Sequence, residues 1–321
     1  MENNNNICDT FRRQALRVAK EVDSAGYTGL GIHEETLSDL LLNQIQFDHA
    51  DNFLTRKFTK KEEGSITGAD WLWCLGEPGS WITFAVQAKI VNSNTRRVNY
   101  LHYRNGEQYD LLINFCKQFR FIPKYSIYGK TPRETDVFAR EVVELKNIPL
   151  EQWAFSMISP RHIKDLKTTK EKHISSVLKC SVPWSYVFCD KTNNTTSLAE
   201  KIAQNLERVY WLFENKFRPK RSRKTQNSHR INWENPWPSK LITRVVPLPV
   251  LYLLTNKSFS HKVPIPNVSI FSTSPVQPVL QIELKKIESQ RQWKNFPKVF
   301  QRAIWRMQDR NDMYLLSEGG Q

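Results

Sequence analysis

Eleven residues, Trp81 to Val91, alternate with a period of two, and no other stretch of the chain constrains its folding so tightly. Ile82, Phe84, Val86, Ala88 and Ile90 form one apolar face, and Trp81, Thr83, Ala85, Gln87 and Lys89 form the other. Successive side chains of a strand point to opposite sides of a sheet, so this pattern predicts a strand. It also sets Gln87 and Lys89 on one face, two residues apart. A second expected strand, Gly68 to Leu75, carries Asp70 and is broken by Gly76, Pro78 and Gly79. Asp70 precedes Gln87 by 17 residues.

The flanking segments have a helical period. A basic helix is expected from Asp9 to about Ala25, followed by a glycine-containing loop, Gly26 to Gly31. A second helix runs from about His33 to Gln46, with Leu37, Leu41 and Ile45 on one face and Glu34 on the same stripe. Residues 53–59 read as a strand, Glu107 to Phe119 as a helix and Tyr125 to Tyr128 as a short strand. This order of helix, three strands, helix and strand predicts an α/β layer with a mixed central sheet flanked by helices. Residues 1–150 are expected to form this core. Residues 151–321 are expected to be an α+β accessory region, either separate from the core or continuous with it, with strands at Trp153 to Ile158 and Trp184 to Cys189. A helix follows from Ser197 to Phe217, then an apolar run from Val245 to Leu254 and a C-terminal helix from about Glu283 to Leu316.

Composition narrows the choice of partner. The chain has 321 residues and a formal net charge of +15. That excess favours a polyanion, with nucleic acid ahead of an anionic membrane surface. Residues 216–230 form a basic tract without periodicity that includes Lys220, Arg221, Arg223 and Lys224. It reads either as a solvated loop or as an arm contacting phosphates. The five cysteines are scattered and contain no Cys-x-x-Cys pair. Neither a disulfide framework nor a zinc site is indicated, and a reducing, cytoplasmic setting is expected. No apolar run is long enough for a membrane span, so no membrane is expected.

The polar residues of the two central strands suit phosphodiester cleavage. Mg²⁺ takes oxygen ligands and keeps several waters, so one or two carboxylates plus neutral oxygens suffice. Asp70 offers an anionic ligand, Gln87 an amide oxygen and Ala88 a carbonyl. Lys89 is placed to orient the attacking water or to balance developing charge. Glutamine is a weaker ligand than a carboxylate, so a further acid is expected. One source is Glu34 or Glu35 on the second helix. The other is Glu62-Glu63, where Glu63 reads first as a surface charge. Trp71, Trp73 and Trp81 read as packing residues before stacking residues.

A helix with Glu, then Gly68-Ala69-Asp70, then Val86-Gln87-Ala88-Lys89, resembles the core of the PD-(D/E)xK restriction-endonuclease-like superfamily over about residues 30–130. It is nearest to the Mrr-like branch, whose third motif has Gln in place of the acid. Thr67-Gly68-Ala69-Asp70-Trp71-Leu72-Trp73, with Tyr125-Ser126-Ile127-Tyr128-Gly129 downstream, also resembles an uncharacterised bacterial family with nuclease-like domains. The resemblance implies a restriction-endonuclease-like fold and an Mg²⁺-dependent endonuclease, with Mn²⁺ as a substitute metal. Asp70 takes the place of the metal-binding acid, Gln87 and Lys89 that of the third motif, and Glu34 or Glu35 that of the helical acid. Gln108 resembles a helical glutamine near the active site of some members, although the tyrosine expected four residues on is Leu112. DNA is implied before RNA, in bacterial defence against phage, with a homodimer or a defence complex as the assembly. Two alternatives stay open: a non-catalytic nucleic-acid-binding module on a degenerate nuclease fold, and a ribonuclease effector.

Overall fold

The architecture grows outward from the strand that the alternation marks. The computed structural model describes residues 6–98, 101, 107–137, 145–169, 172–189, 197–217 and most of 236–250. In it β3 spans Ser80–Ile90. β2 (Trp71–Glu77) pairs with it antiparallel and β4 (Ile122–Tyr128) pairs with it parallel. β1 (Phe53–Lys57) lies outside β2, while β5 (Phe155–Ile158) and β6 (Ser181–Pro183) extend the sheet beyond β4. The fold is therefore α/β, with a mixed six-stranded sheet in the order β1 to β6. A parallel pair requires a crossover, which here includes the helix α4 (Glu107–Phe119). The sheet does not stop at residue 150: β5 and β6 belong to the same layer as β1 to β4. All of these elements lie in one compact unit, Met1–Val246.

Burial follows the two-residue period. The β3 face bearing Phe84 is covered by α1 (Ile7–Thr28), α7 (Trp184–Phe188) and α8 (Leu198–Phe217). Trp73 meets Phe11 and Trp184 edge-on, at 5.9 and 5.2 Å between ring centroids. The Trp184 indole N–H donates to Ser126 Oγ at 3.0 Å, satisfying a buried donor. Trp71, Trp73 and Trp81 are all buried, so these rings are core. The opposite face, with Gln87 and Lys89, carries α4, while α2 (Glu34–Asp48) packs near the end of β3.

Several expectations are corrected. Residues 184–188 form a helix rather than a strand, and the strand is the short segment just before it. The first helix does not stop at Ala25; it continues to Thr28 and is capped by Gly29 at φ 71°. Gly76 lies within β2, not beyond it. Cys8 and Cys189 form a disulfide that ties α1 to the residue after α7, across 181 positions of sequence. The basic tract with Lys220, Arg221, Arg223 and Lys224, the C-terminal helix and most of the run 245–254 lie outside the described residues. Among the described residues, no helix is long and apolar enough to cross a membrane.

A lysine is buried within this architecture, away from Gln87. Lys124 of β4 is buried beneath α8, where its Nζ donates to Tyr210 Oη at 2.8 Å and lies 4.5 Å from that ring's centre. Burial pushes its pKa down from 10.5 to about 7. Between those values the unfolded chain holds a proton that the folded chain does not. Stability therefore rises with pH through this residue, by on the order of a few kcal/mol. Urea unfolding at pH 7 and pH 9.5 should show that rise in wild type and a flatter one in Lys124→Met. Equal slopes would contradict a neutral buried amine.

Candidate active site

Asp70 stands just before β2, where its backbone is fixed on both sides. Its N–H donates to the Val86 carbonyl at 2.8 Å, and its own carbonyl accepts the Phe58 N–H at 2.7 Å. That places its side chain across from Gln87. Asp70 Oδ2 accepts two hydrogen bonds of 2.5 Å, from the Ala88 N–H and from Gln87 Nε2. Gln87 is fully buried and its Oε1 has no partner.

Glu63 enters from the segment before Asp70. Thr59 caps a short helix, α3 (Lys60–Glu62), in a reciprocal capping box with Glu62, and the chain then widens into a π-helical turn, Glu63–Thr67. Gly68 ends that turn in the left-handed region at φ 62°. A Cβ there would stand 2.4 Å from the Gln108 carbonyl and the Leu112 N–H of α4, so the turn sits directly on that helix. The close approach lets Gln108 Nε2 donate to Glu63 Oε1 at 2.5 Å, while Gln87 Nε2 reaches the same oxygen at 3.4 Å. π-Helical turns of this kind are frequent at functional sites.

Lys89 sits two residues beyond Gln87 and is almost wholly buried. Its Nζ lies 3.9 Å from Glu34 Oε1. The helix α2 thus delivers Glu34 to the site, as its place on the apolar stripe predicts. Glu35 is not brought in: it is exposed and pairs with Lys60 at 3.0 Å. Glu62 is also turned away, toward Arg56 at 3.4 Å. The structure therefore brings together Asp70, Glu34, Gln87, Ala88 and Lys89, with Glu63 and Gln108 beside them. Sequence reasoning offered Glu62-Glu63 as one source of the further acid but read Glu63 first as a surface charge. The signal in its favour is the Gly64-to-Gly68 turn leading straight into Asp70.

The electrostatics are those of crowded acids. Burial raises the Asp70 carboxyl well above the usual range. Lys89 and the Ala88 N–H work against that shift, while the charges of Glu34 and Glu63 add to it. Glu34 is raised to about 7, again chiefly by burial. Lys89 and the Ile90 N–H oppose this, whereas Glu63 and Glu35 reinforce it. One buried ammonium thus offsets three carboxylates only in part. Such displaced acids concentrate at functional sites. Among the described residues, no three His, Cys, Asp or Glu side chains could together hold a metal ion. A cation bound here would draw on amide and carbonyl oxygens as well.

Fold and site together define a class: an α/β protein with a buried acid, amide and lysine cluster at the centre of a mixed sheet. The chain belongs to DUF6615, a family of unknown function, whose pattern matches residues 7–288. No curated protein matches it.

The raised Glu34 pKa has a consequence for stability. An acid that titrates higher in the folded state favours folding below its unfolded pKa, near 4.5, and that advantage is lost as pH rises through about 7. In urea unfolding between pH 4.5 and 7.5, Glu34→Gln should lose about 2–3 kcal/mol less stability than wild type. A variant whose pH profile parallels wild type would contradict the burial of this carboxyl.

Proposed function

We propose that the protein is an Mg²⁺-dependent nuclease on a restriction-endonuclease-like core, acting on DNA before RNA. The observation that carries this reading is the convergence of Asp70, Gln87 and Lys89, with Glu34 and Glu63 beside them. The net charge of +15 suits a polyanionic substrate.

The donor set fits a hard cation. Asp70 and Glu63 offer carboxylate oxygens, and the Ala88 carbonyl and Gln87 Oε1 offer neutral ones. Gln87 Oε1 is a buried oxygen without a partner. Which end of an amide faces Asp70 is settled by its surroundings. With Nε2 toward Asp70, the carboxylate gains a donor and the amide oxygen is stranded. With Oε1 toward Asp70, two oxygens face each other, an arrangement that a cation between them would stabilise. Bound there, Mg²⁺ would neutralise phosphate charge and lower the pKa of a coordinated water.

The chain's own groups have separable tasks in this reading. Lys89 holds a fixed positive charge beside the acids and orients the attacking water. Glu34 positions that ammonium. Gln108 holds Glu63 toward Gln87. The tract with Lys220, Arg221, Arg223 and Lys224 adds contacts to the backbone without sequence preference. A bacterial defence role, as a homodimer or in a larger complex, is the setting this reading implies.

One observation favours a second reading, a nucleic-acid-binding module without turnover. The Asp70 carboxylate is already satisfied by the Ala88 N–H and the Gln87 amide. Binding that survives EDTA, together with an absence of cleavage, would support that reading.

Plasmid DNA incubated with the protein and Mg²⁺ should be nicked or linearised. Asp70→Asn and Lys89→Ala should each lower the rate at least about a hundredfold. Millimolar Mg²⁺ should also raise the unfolding temperature of wild type but not of Asp70→Asn. Variants that cleave as fast as wild type would overturn the assignment.

A further inference from the structure

A second cluster of polar groups lies just beyond the carboxyl ends of the parallel pair β3 and β4. A small cavity of about 40 Å³, open to solvent, is lined there by Val91, Asn92, Arg96, Lys130, Arg133 and Asp136, among others. Three cations and one acid are among its lining residues, a formal excess of positive charge. Lys130 and Arg133 are exposed at its rim, and neither forms an ion pair with a described acid.

The third cation is fixed in place. Arg96 adopts a left-handed conformation at φ 53°, which a non-glycine residue takes up only when its surroundings hold it there. Its N–H donates to the Asn92 carbonyl at 2.9 Å, and its carbonyl accepts the Ile174 N–H at 2.9 Å. Asn92 Oδ1 closes the same turn by accepting the N–H groups of Asn94 and Thr95 at 3.1 and 2.8 Å. The Arg96 guanidinium pairs with the buried Asp136 carboxylate. That carboxylate also accepts the Arg133 N–H at 2.9 Å, so one acid anchors both cation-bearing segments. A guanidinium set by a buried acid at the edge of a basic cavity is preorganised for a tetrahedral oxyanion. In open α/β sheets, ligands bind outside the carboxyl ends of parallel strands.

We propose that this cavity binds a phosphate group of a nucleic-acid backbone. Val91, in its wall, directly follows β3 and stands two residues, about 7 Å, beyond Lys89. On that spacing the cavity would take a phosphate neighbouring one bound at Asp70 and Lys89. This assignment of the phosphate's source rests on the nuclease reading. The cationic cavity itself does not.

The test uses the full chain in EDTA, so that no turnover intervenes, and follows a fluorescent DNA duplex by anisotropy across a salt series. Lys130→Ala/Arg133→Ala should raise Kd about tenfold and lower the slope of log K against log salt by about 1. Lys130→Arg/Arg133→Lys should restore both. The control pair Lys117→Ala/Lys240→Ala removes equal charge from the far end of β4 and should leave both values near wild type. Inorganic phosphate should compete for the cavity. Unchanged binding in the first pair, or an equal loss in the control pair, would overturn the proposal. Inorganic phosphate that binds without any effect of the variants on DNA would overturn the backbone as its source. Cleavage assays keep the two readings apart. If Asp70→Asn abolishes cleavage while the cavity variants bind normally, the cavity fails alone. If no cleavage occurs and the cavity variants still lose DNA, the nuclease reading fails alone.

Discussion

The Asp70 carboxylate accepts hydrogen bonds from the backbone and the side chain of the neighbouring strand, and the rest of the site is arranged around that contact. It joins the start of β2 to the middle of β3 and faces the sheet's one buried amide. Everything nearby then has to accommodate a partly desolvated acid. Lys89 supplies the compensating charge, Glu34 and Glu63 crowd it, and Gln108 holds Glu63 in place. A structure selected only for stability would not place three carboxylates around one ammonium, because buried charge is costly unless it is well paired. On the proposed reading, the cluster is electrostatic stress that a bound cation would relieve.

Two devices of the backbone make the cluster achievable. The π-helical turn and Gly68 let the chain press onto α4 at a distance that no side chain would tolerate. This delivers Glu63 and Asp70 from two sides of one glycine. The parallel pairing of β3 with β4 supplies the second device. It brings the carboxyl ends of two strands together, where the loops carrying Arg96 and Arg133 meet over Asp136. The site and the basic cavity thus follow each other along one strand.

The strand pair and the helix bearing Glu34 were legible in the sequence because their signals are local. Alternation over 11 residues marks β3, and a stripe of Leu37, Leu41 and Ile45 marks α2 and aims Glu34 inward. What escaped depends on distant parts of the chain. Trp184 to Phe188 is a short, wholly buried apolar run, and periodicity cannot separate helix from strand in such a run. The first helix runs through Gly26, which packs against Ser93 so closely that a Cβ would stand 3.1 Å from the Ser93 Cβ. The Cys8–Cys189 bond has no sequence spacing to announce it. Glu63 looked solvent-facing because its direction is set by a π-helical turn and by Gln108, 45 residues on.

The central claim is that Asp70 and Gln87 jointly bind a divalent cation. Diffraction from crystals soaked in Mn²⁺, read by anomalous difference density, tests it most directly. The account predicts a peak between the Asp70 carboxylate and the Gln87 amide, with Oε1 turned toward the metal, and no such peak in Asp70→Asn. Soaked crystals with no peak there, and with Gln87 Nε2 still donating to Asp70, would contradict it.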